Sequence, residues 1–205
     1  MSNVHSAAAE KKGLDFDWKQ FLHLGLALFI IAAAAALVLA LVNALTADTI
    51  AERKEAERQA AMASVVPGAD VFSELYSEDE TIDCISGAYA GTQFKGYCVE
   101  VSPNGFGGAI SLMVGVDAGG SVTGVAILDH SETAGLGARA DSPEFLDQYV
   151  GLSGTITVNK GSNAIDGLTG ATITSKAVTS GVNTALTAVL NYNAEGGQTP
   201  DEGND

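Results

Sequence analysis

A chain of 205 residues with a formal net charge of −15 and a pI near 4.3 has room for one ordinary domain plus appendages, and it can bury a core without disulfide staples. It has no Lys/Arg-rich run. The counterion release that drives nucleic-acid binding therefore has nothing to act through, which excludes DNA and RNA as partners.

After a stub at residues 1–20, the segment "FLHLGLALFIIAAAAALVLALVNAL" runs from Phe21 to Leu45 without a formally charged side chain. About 25 residues at 1.5 Å each exceed the roughly 30 Å hydrocarbon core of a bilayer, which predicts one transmembrane helix over 21–46. Val42-Asn43-Ala44 also has the form of a signal-peptide cleavage site. Signal h-regions, however, run only about 7–15 residues, so the membrane span is favoured. His23 lies near one end of the span, and Phe16 and Trp18 precede it as interfacial anchors. Lys11, Lys12 and Lys19 precede the span while Arg53, Lys54 and Arg58 follow it. The positive-inside comparison thus ties, and sidedness is open at this level. "ADTIAERKEAERQAAMASVV" keeps helical composition until Pro67-Gly68, predicting a solvated helical stalk over 47–67. Residues 47–205 hold 22 acids against seven bases. The large domain should therefore repel phospholipid headgroups and stand off on the stalk.

The domain itself is placed at 68–192. "TQFKGYCVEV" alternates around Phe94, Tyr97 and Val99, while "GAISLMVGV" puts Ile110, Leu112, Val114 and Val116 on one face. "DAGG" then turns the chain into "SVTGVAILDH", a β-hairpin. "DSPEFLDQYV" predicts a short helix with Ser142 as cap, Pro143 at its first position and Glu144 on the positive end. "GTITVNK" is a further strand. From Ser175 onward Val178, Val182, Ala185, Leu186 and Val189 recur at helical spacing and predict a closing helix. The glycines at 105, 107, 108, 115, 119 and 120 read as turn and bulge residues. The acidic tail at 193–205 lacks apolar periodicity and is expected to be disordered. The predicted class is α+β: a mostly antiparallel sheet with segregated helices behind a single N-terminal transmembrane helix.

The chemistry concentrates in "DGLTGATITSKAVTSG", residues 166–181. A helix beginning near Thr174 or Ser175 would aim its free N–H groups and positive end at the "TGAT" turn, which suits an anion. Gly170 permits close approach and Ala171 adds little bulk. Thr169, Thr172, Thr174 and Ser175 offer hydroxyls to phosphate oxygens. The same residues serve equally well as an ordinary helix cap and turn, and the residue types alone leave both readings open. A P-loop is excluded because no Gly-Lys-Ser/Thr follows the glycines. "HSE" lacks the Pro-Cys-x-x-Cys of a zinc deaminase, and no Gly-x-Ser-x-Gly elbow is present. Cys84 and Cys98 have neither CxxC nor iron–sulfur spacing; a structural disulfide and two buried thiols both remain open.

Asp166 followed by "LTGATITS" resembles the Ser/Thr-Gly-Ala-Thr-x-Ser/Thr signature of the FMN-binding domain in the G subunit of the Rnf complex, an ion-translocating ferredoxin:NAD⁺ oxidoreductase. The C subunit of the Na⁺-translocating NADH:quinone reductase shares that domain. "HSETAGLGAR", from His130 to Arg139, is similar to the family's His-x-Glu-Thr-Pro-Gly-Leu-Gly segment near the isoalloxazine, with Ala134 in place of the proline. "GYCVEVSPNGFGGAISLMVGVD" and the single N-terminal helix match as well.

The resemblance implies FMN joined through its phosphate to Thr174. It also implies a cofactor site formed by Asp166, Thr169, Gly170, Ala171, Thr172 and Ser175 together with His130, Glu132, Thr133, Gly135, Leu136 and Gly137. Backbone amides of "AGLGA" and the Thr133 hydroxyl are suited to tune the ring. His130 and Glu132 could equally bond their own loop. The implied role is a flavoprotein subunit relaying electrons in the membrane complex. Its partners would be the other Rnf subunits, the lipid bilayer and a flavin transferase, and its C-terminal domain would lie on the periplasmic or outer side of the cell membrane, leaving the stub cytoplasmic. The isolated chain, without iron–sulfur motif or nicotinamide fold, is expected to catalyse no turnover. Two other classes share parts of the pattern: an anchored flavin redox sensor, and a non-redox binding module whose "TGATITS" only caps a helix.

Overall fold

The computed structural model describes residues 18–76 and 82–194. Most of the expected stub, and the expected tail from 195 onward, lie outside them. The chain divides into two compact units between Glu52 and Arg53. Helix α1, Trp18–Val65, starts in the first. Its apolar run has a mean hydropathy of 2.9, and none of that stretch is buried within the protein. Among the described residues it is the one helix long and apolar enough to cross a membrane, the arrangement of a single-pass membrane protein.

In the second unit the chain forms a five-stranded antiparallel meander in the order β1-β2-β3-β4-β5. The strands are Val71–Tyr76, Cys84–Ala90, Gln93–Val101, Ile110–Asp117 and Val122–His130. The expected hairpin is β4–β5, closed where the Gly120 amide donates to the Asp117 carbonyl at 3.1 Å. Phe94 and Tyr97, three apart, share a face because the β2–β3 register skips Lys95. The register passes from the Ala88–Gly96 pair directly to Tyr89–Phe94, the two-against-one count of a bulge. Beyond β5 come a 3-10 turn at Gly137–Asp141, helix α2 at Pro143–Leu146 and a second 3-10 turn at Asp147–Tyr149. Ser142 sits at the cap of α2, but its side chain makes no capping bond; its carbonyl instead accepts the amides of Phe145 and Leu146. "GTITVNK" yields only Thr157–Val158 (β6), paired parallel with Ala164–Ile165 (β7). Helix α3, Thr172–Ala194, closes the domain.

The sheet has a different partner on each face. Ile110, Leu112, Val114 and Val116 are all fully buried and pack with Val178, Val182, Ala185 and Val189 of α3. That is the predicted amphipathic packing. The opposite face, with Ala88, Cys98 and Met113, is covered by Met62, Val65 and Val66. The expected stalk is helical, but its last turn is therefore docked rather than solvated. Apolar surface on both sides of the β3–β4 region forces this, since one uncovered face would expose Cys98 and Met113 to water. Gly68, at φ +84°, takes the left-handed conformation that lets the chain leave the helix end. Gly115 and Gly124 face each other across β4 and β5. Thr123, the extra residue of a bulge beside them, donates its hydroxyl to the Val65 carbonyl at 2.5 Å, satisfying an end carbonyl of α1. Arg58 adds a 2.8 Å pair with Glu100, a partly exposed contact contributing about 1 kcal/mol at most.

Cys84 and Cys98 are free, buried thiols, which decides between the two readings above. Burial pushes the Cys98 thiol from 9.0 to about 12, although nearby Arg58 pulls it the other way. Burial likewise raises the Tyr149 phenol to about 12 against its bond to Thr179. Both groups stay neutral in the folded chain at pH values where they ionise once unfolded. Their stabilising contribution is thus complete below about pH 9 and is lost as pH rises towards 12. The melting temperature of the full chain in detergent is expected to fall across this window, and Cys98→Ala should flatten the early part of the fall.

Candidate functional site

The loop 131–136 after β5 and the first turn of α3 meet at a cavity of about 330 Å³. Its lining is Phe106, Glu132, Thr133, Leu136 and Gly137 on one side and Gly170, Ala171, Thr172, Ile173 and Thr174 on the other. Helix α3 begins at Thr172, three residues before the periodicity suggested. The Ser175 amide bonds the Ala171 carbonyl at 3.0 Å, so the amides of Thr172, Ile173 and Thr174 fall in the first turn, where no intrahelical acceptor exists. This is a positive helix end opening on a cavity.

Capping and cofactor chemistry divide between adjacent residues. The Ser175 hydroxyl accepts the Leu168 amide at 2.9 Å and donates to the Ala171 carbonyl at 3.0 Å, so it ties the turn to the helix. Thr174 does neither. Its Oγ1 donates to Glu132 Oε2 at 2.5 Å, and the two residues are buried at 1% and 9% exposure. Glu132 Oε1 accepts the Gly107 amide at 2.8 Å. Burial opposes the Glu132 charge, but the hydrogen bonds from Thr174, Gly107 and Phe106 and the nearby His130 outweigh it, so the carboxyl is held below its ordinary range. A Cβ at Gly105 would collide with Oε1 and one at Gly137 with Oε2. Only glycine leaves room for the carboxylate at these positions. Gly105 and Gly107, read from sequence as turn residues, thus border the site.

Eight of the sequence-derived candidates line the cavity: Glu132, Thr133, Leu136, Gly137, Gly170, Ala171, Thr172 and Thr174. The structure does not bring the other five to its lining. Ser175 is fully buried with both polar functions engaged by backbone. The backbone amide of Asp166 donates to Gln148 at 2.7 Å, and Thr169 and Gly135 are exposed. His130 Nδ1 accepts the Glu132 amide at 3.3 Å, which steadies the loop from behind. The amides of "AGLGA" are only partly available, because those of Leu136 and Ala138 are taken by the Thr133 carbonyl. Phe106 and Ile173 were not singled out from sequence. With Leu136 they give the cavity an apolar rim, exposed at 69%, 55% and 47%. Large apolar side chains left this open around a polar floor are characteristic of ligand sites.

The residues present fit a flavin nucleotide: hydroxyl and helix end for a phosphate, apolar rim for an aromatic ring, and glycine cradles where a Cβ would intrude. The fold and site define an FMN-binding domain carried behind a helix able to cross a membrane. Matches to known families agree, with the FMN-binding domain family covering residues 105–187 and the RnfG N-terminal region covering 17–65.

The chain is 39% identical to the G subunit of the Na⁺-translocating ferredoxin:NAD⁺ oxidoreductase complex of Acetobacterium woodii, over 88% of this chain and 97% of that one. It is 32% identical to the G subunit of the proton-translocating complex of Clostridium ljungdahlii, over 76% and 84%. It belongs to this family, the G subunits of the ion-translocating (Rnf) oxidoreductase complexes. Among solved structures it is similar to the C subunit of the Na⁺-translocating NADH-quinone reductase of Parabacteroides distasonis, with 24% identity and a TM-score of 0.47 over 53% of this chain and 61% of that one.

Proposed function

We propose that the chain carries FMN bonded through its phosphate to Thr174 and relays electrons within an ion-translocating ferredoxin:NAD⁺ oxidoreductase complex. The observation that carries this reading is the Thr174 hydroxyl. It lies in the first turn of α3, lines the cavity and is free of backbone duties. Bound there, FMN supplies one- and two-electron redox chemistry. The chain's own residues hold and shield it. The amides of the first turn of α3 would hold the phosphate, Gly170 and Ala171 would keep the turn narrow, and Phe106, Leu136 and Ile173 would offer the ring an apolar rim. A tether prevents loss of the group while its ring stays at an open rim, which suits exchange with neighbouring subunits. In this reading the membrane helix fixes the domain at the bilayer, and the domain lies on the periplasmic or outer side, as the family resemblance implies. A flavin transferase is the implied partner for attachment.

Intact mass of the full chain made in a host with the transferase tests this. The expected result is one FMN-sized increment and a fluorescent band on a denaturing gel, both lost in Thr174→Ala and retained in Thr172→Ala. A bare polypeptide in the wild type, or an increment surviving Thr174→Ala, would overturn it.

A further inference from the structure

Glu132 and Thr174 stand 42 residues apart in sequence, yet their oxygens meet at 2.5 Å inside the cavity. Ser175 and Thr179 in the same helix satisfy their hydroxyls on the carbonyl four residues back, whereas Thr174, whose residue four back is Gly170 ahead of the helix, takes Glu132 as its hydrogen-bond partner. Burying a carboxylate for that purpose costs far more than the bond returns. The domain nevertheless builds a dedicated seat for it. Gly105 and Gly137 leave the space, the Gly107 amide fixes Oε1, and Oε2 accepts the Thr174 hydroxyl, alone among the side chains of the described residues. A hydroxyl is a weak nucleophile until a base within hydrogen-bond reach takes its proton.

We infer that Glu132 is the general base for attachment of flavin to Thr174, so that the acceptor domain brings its own catalytic carboxylate to the modification. This rests on the reading of Thr174 as the acceptor. The donor must be a flavin nucleotide phosphoanhydride, because an unactivated phosphate monoester offers no adequate leaving group. Thr174 Oγ1 attacks the flavin-side phosphorus, and its proton passes to Glu132 Oε2. The Oγ1–P bond forms as the anhydride P–O bond breaks, and the nucleoside monophosphate departs with the bonding pair. Nothing is oxidised or reduced. The proton then stays on Glu132. The new phosphoester oxygen can no longer donate, and an ionised carboxylate would face the phosphate's negative charge with no proton between them.

The test uses the full chain in detergent, a flavin transferase and flavin adenine dinucleotide, with loading followed by intact mass against time. Glu132→Gln is expected to load at least about 100-fold more slowly than wild type while melting at a similar temperature, and Glu132→Asp to recover part of the rate. Loading of folded Glu132→Gln within about threefold of wild type overturns the inference, since a base contributes far more than that. Should Glu132→Gln not fold, infrared spectra of the wild-type chain labelled with ¹³C-glutamate decide. A protonated glutamic-acid carbonyl band appearing on loading supports the transfer, and its absence overturns it. A wild-type chain that never gains flavin overturns the reading of Thr174 and this inference together, whereas equal loading of wild type and Glu132→Gln overturns this inference alone.

Discussion

Gly137→Ala is expected to abolish flavin loading while leaving the domain folded. Gly137 is the first residue of the 3-10 turn after β5, and its φ is not in the left-handed region, so alanine brings no backbone strain. The methyl group has nowhere to go. It would collide with Glu132 Oε2 and stand 2.8 Å from Thr174 Oγ1, which is where the two oxygens meet. Relief requires the carboxylate to swing away from the hydroxyl, at a typical overpacking cost of about 1–3 kcal/mol. The loop carrying Glu132 is largely exposed at 133–136 and can absorb that movement, so the sheet and α3 persist. Gly135→Ala supplies the contrast. At φ +76° it strains the backbone by about 1 kcal/mol, but no atom lies within 4 Å of its added Cβ. Intact mass should show Gly135→Ala loaded and Gly137→Ala bare, with melting curves within a few degrees of each other. Loaded Gly137→Ala would mean that the Glu132–Thr174 contact is irrelevant to attachment.

The difference between these two neighbouring glycines marks where sequence stops being informative. Period-two alternation ending in "DAGG" identifies β4 and β5, and the spacing of Val178, Val182, Ala185 and Val189 identifies the buried face of α3, because both signals are local. The start of α3 is less legible. Thr172, Thr174 and Ser175 are all acceptable caps, and only the fold reveals that Ser175 ties the turn while Thr174 reaches across to Glu132. That contact depends on loop closure, and no local pattern announces it. Phe106 and Ile173 carry no motif at all: an aromatic between glycines and an isoleucine between threonines become a rim only when β4, β5 and α3 converge. β6 and β7 are too short for any alternation to register, and their parallel pairing cannot be inferred from two residues each. Glycine in a strand is ambiguous in the same way, signalling either a bulge or a close approach. Gly115 combines the two: it stands at the β4–β5 bulge, as its sequence context suggests, and it also meets the Val65 carbonyl, which no local pattern announces.

Gly115→Val should be among the most destabilising single substitutions in the domain. The added Cβ would collide with the Val65 carbonyl oxygen and lie 2.7 Å from its carbonyl carbon, and it would also approach the Thr123 hydroxyl at 2.5 Å. These are backbone atoms and the hydroxyl that holds them, so no side-chain rotation relieves the clash. Across the ladder, a Cβ on Gly124 would meet Val65 Cα at 2.8 Å, which closes the lateral escape. The last turn of α1 must lift from the sheet. Doing so exposes Met62, Val65 and Val66 at roughly 1.5–3 kcal/mol each, reduced by whatever contacts they regain in the displaced state. It also breaks the Thr123–Val65 hydrogen bond, worth about 1 kcal/mol. A loss on the order of 5 kcal/mol follows, comparable to the whole stability of many domains. Cys98 reports the event directly, because Met62 and its neighbours cover a thiol that is 1% exposed. In the wild type without denaturant Cys98 should resist a water-soluble thiol reagent at pH 8, where burial keeps it protonated. In Gly115→Val it should react to completion, with the melting transition lowered by tens of degrees or absent. Wild-type melting with a protected Cys98 in Gly115→Val would show that the last turn of α1 does not pack on this glycine pair.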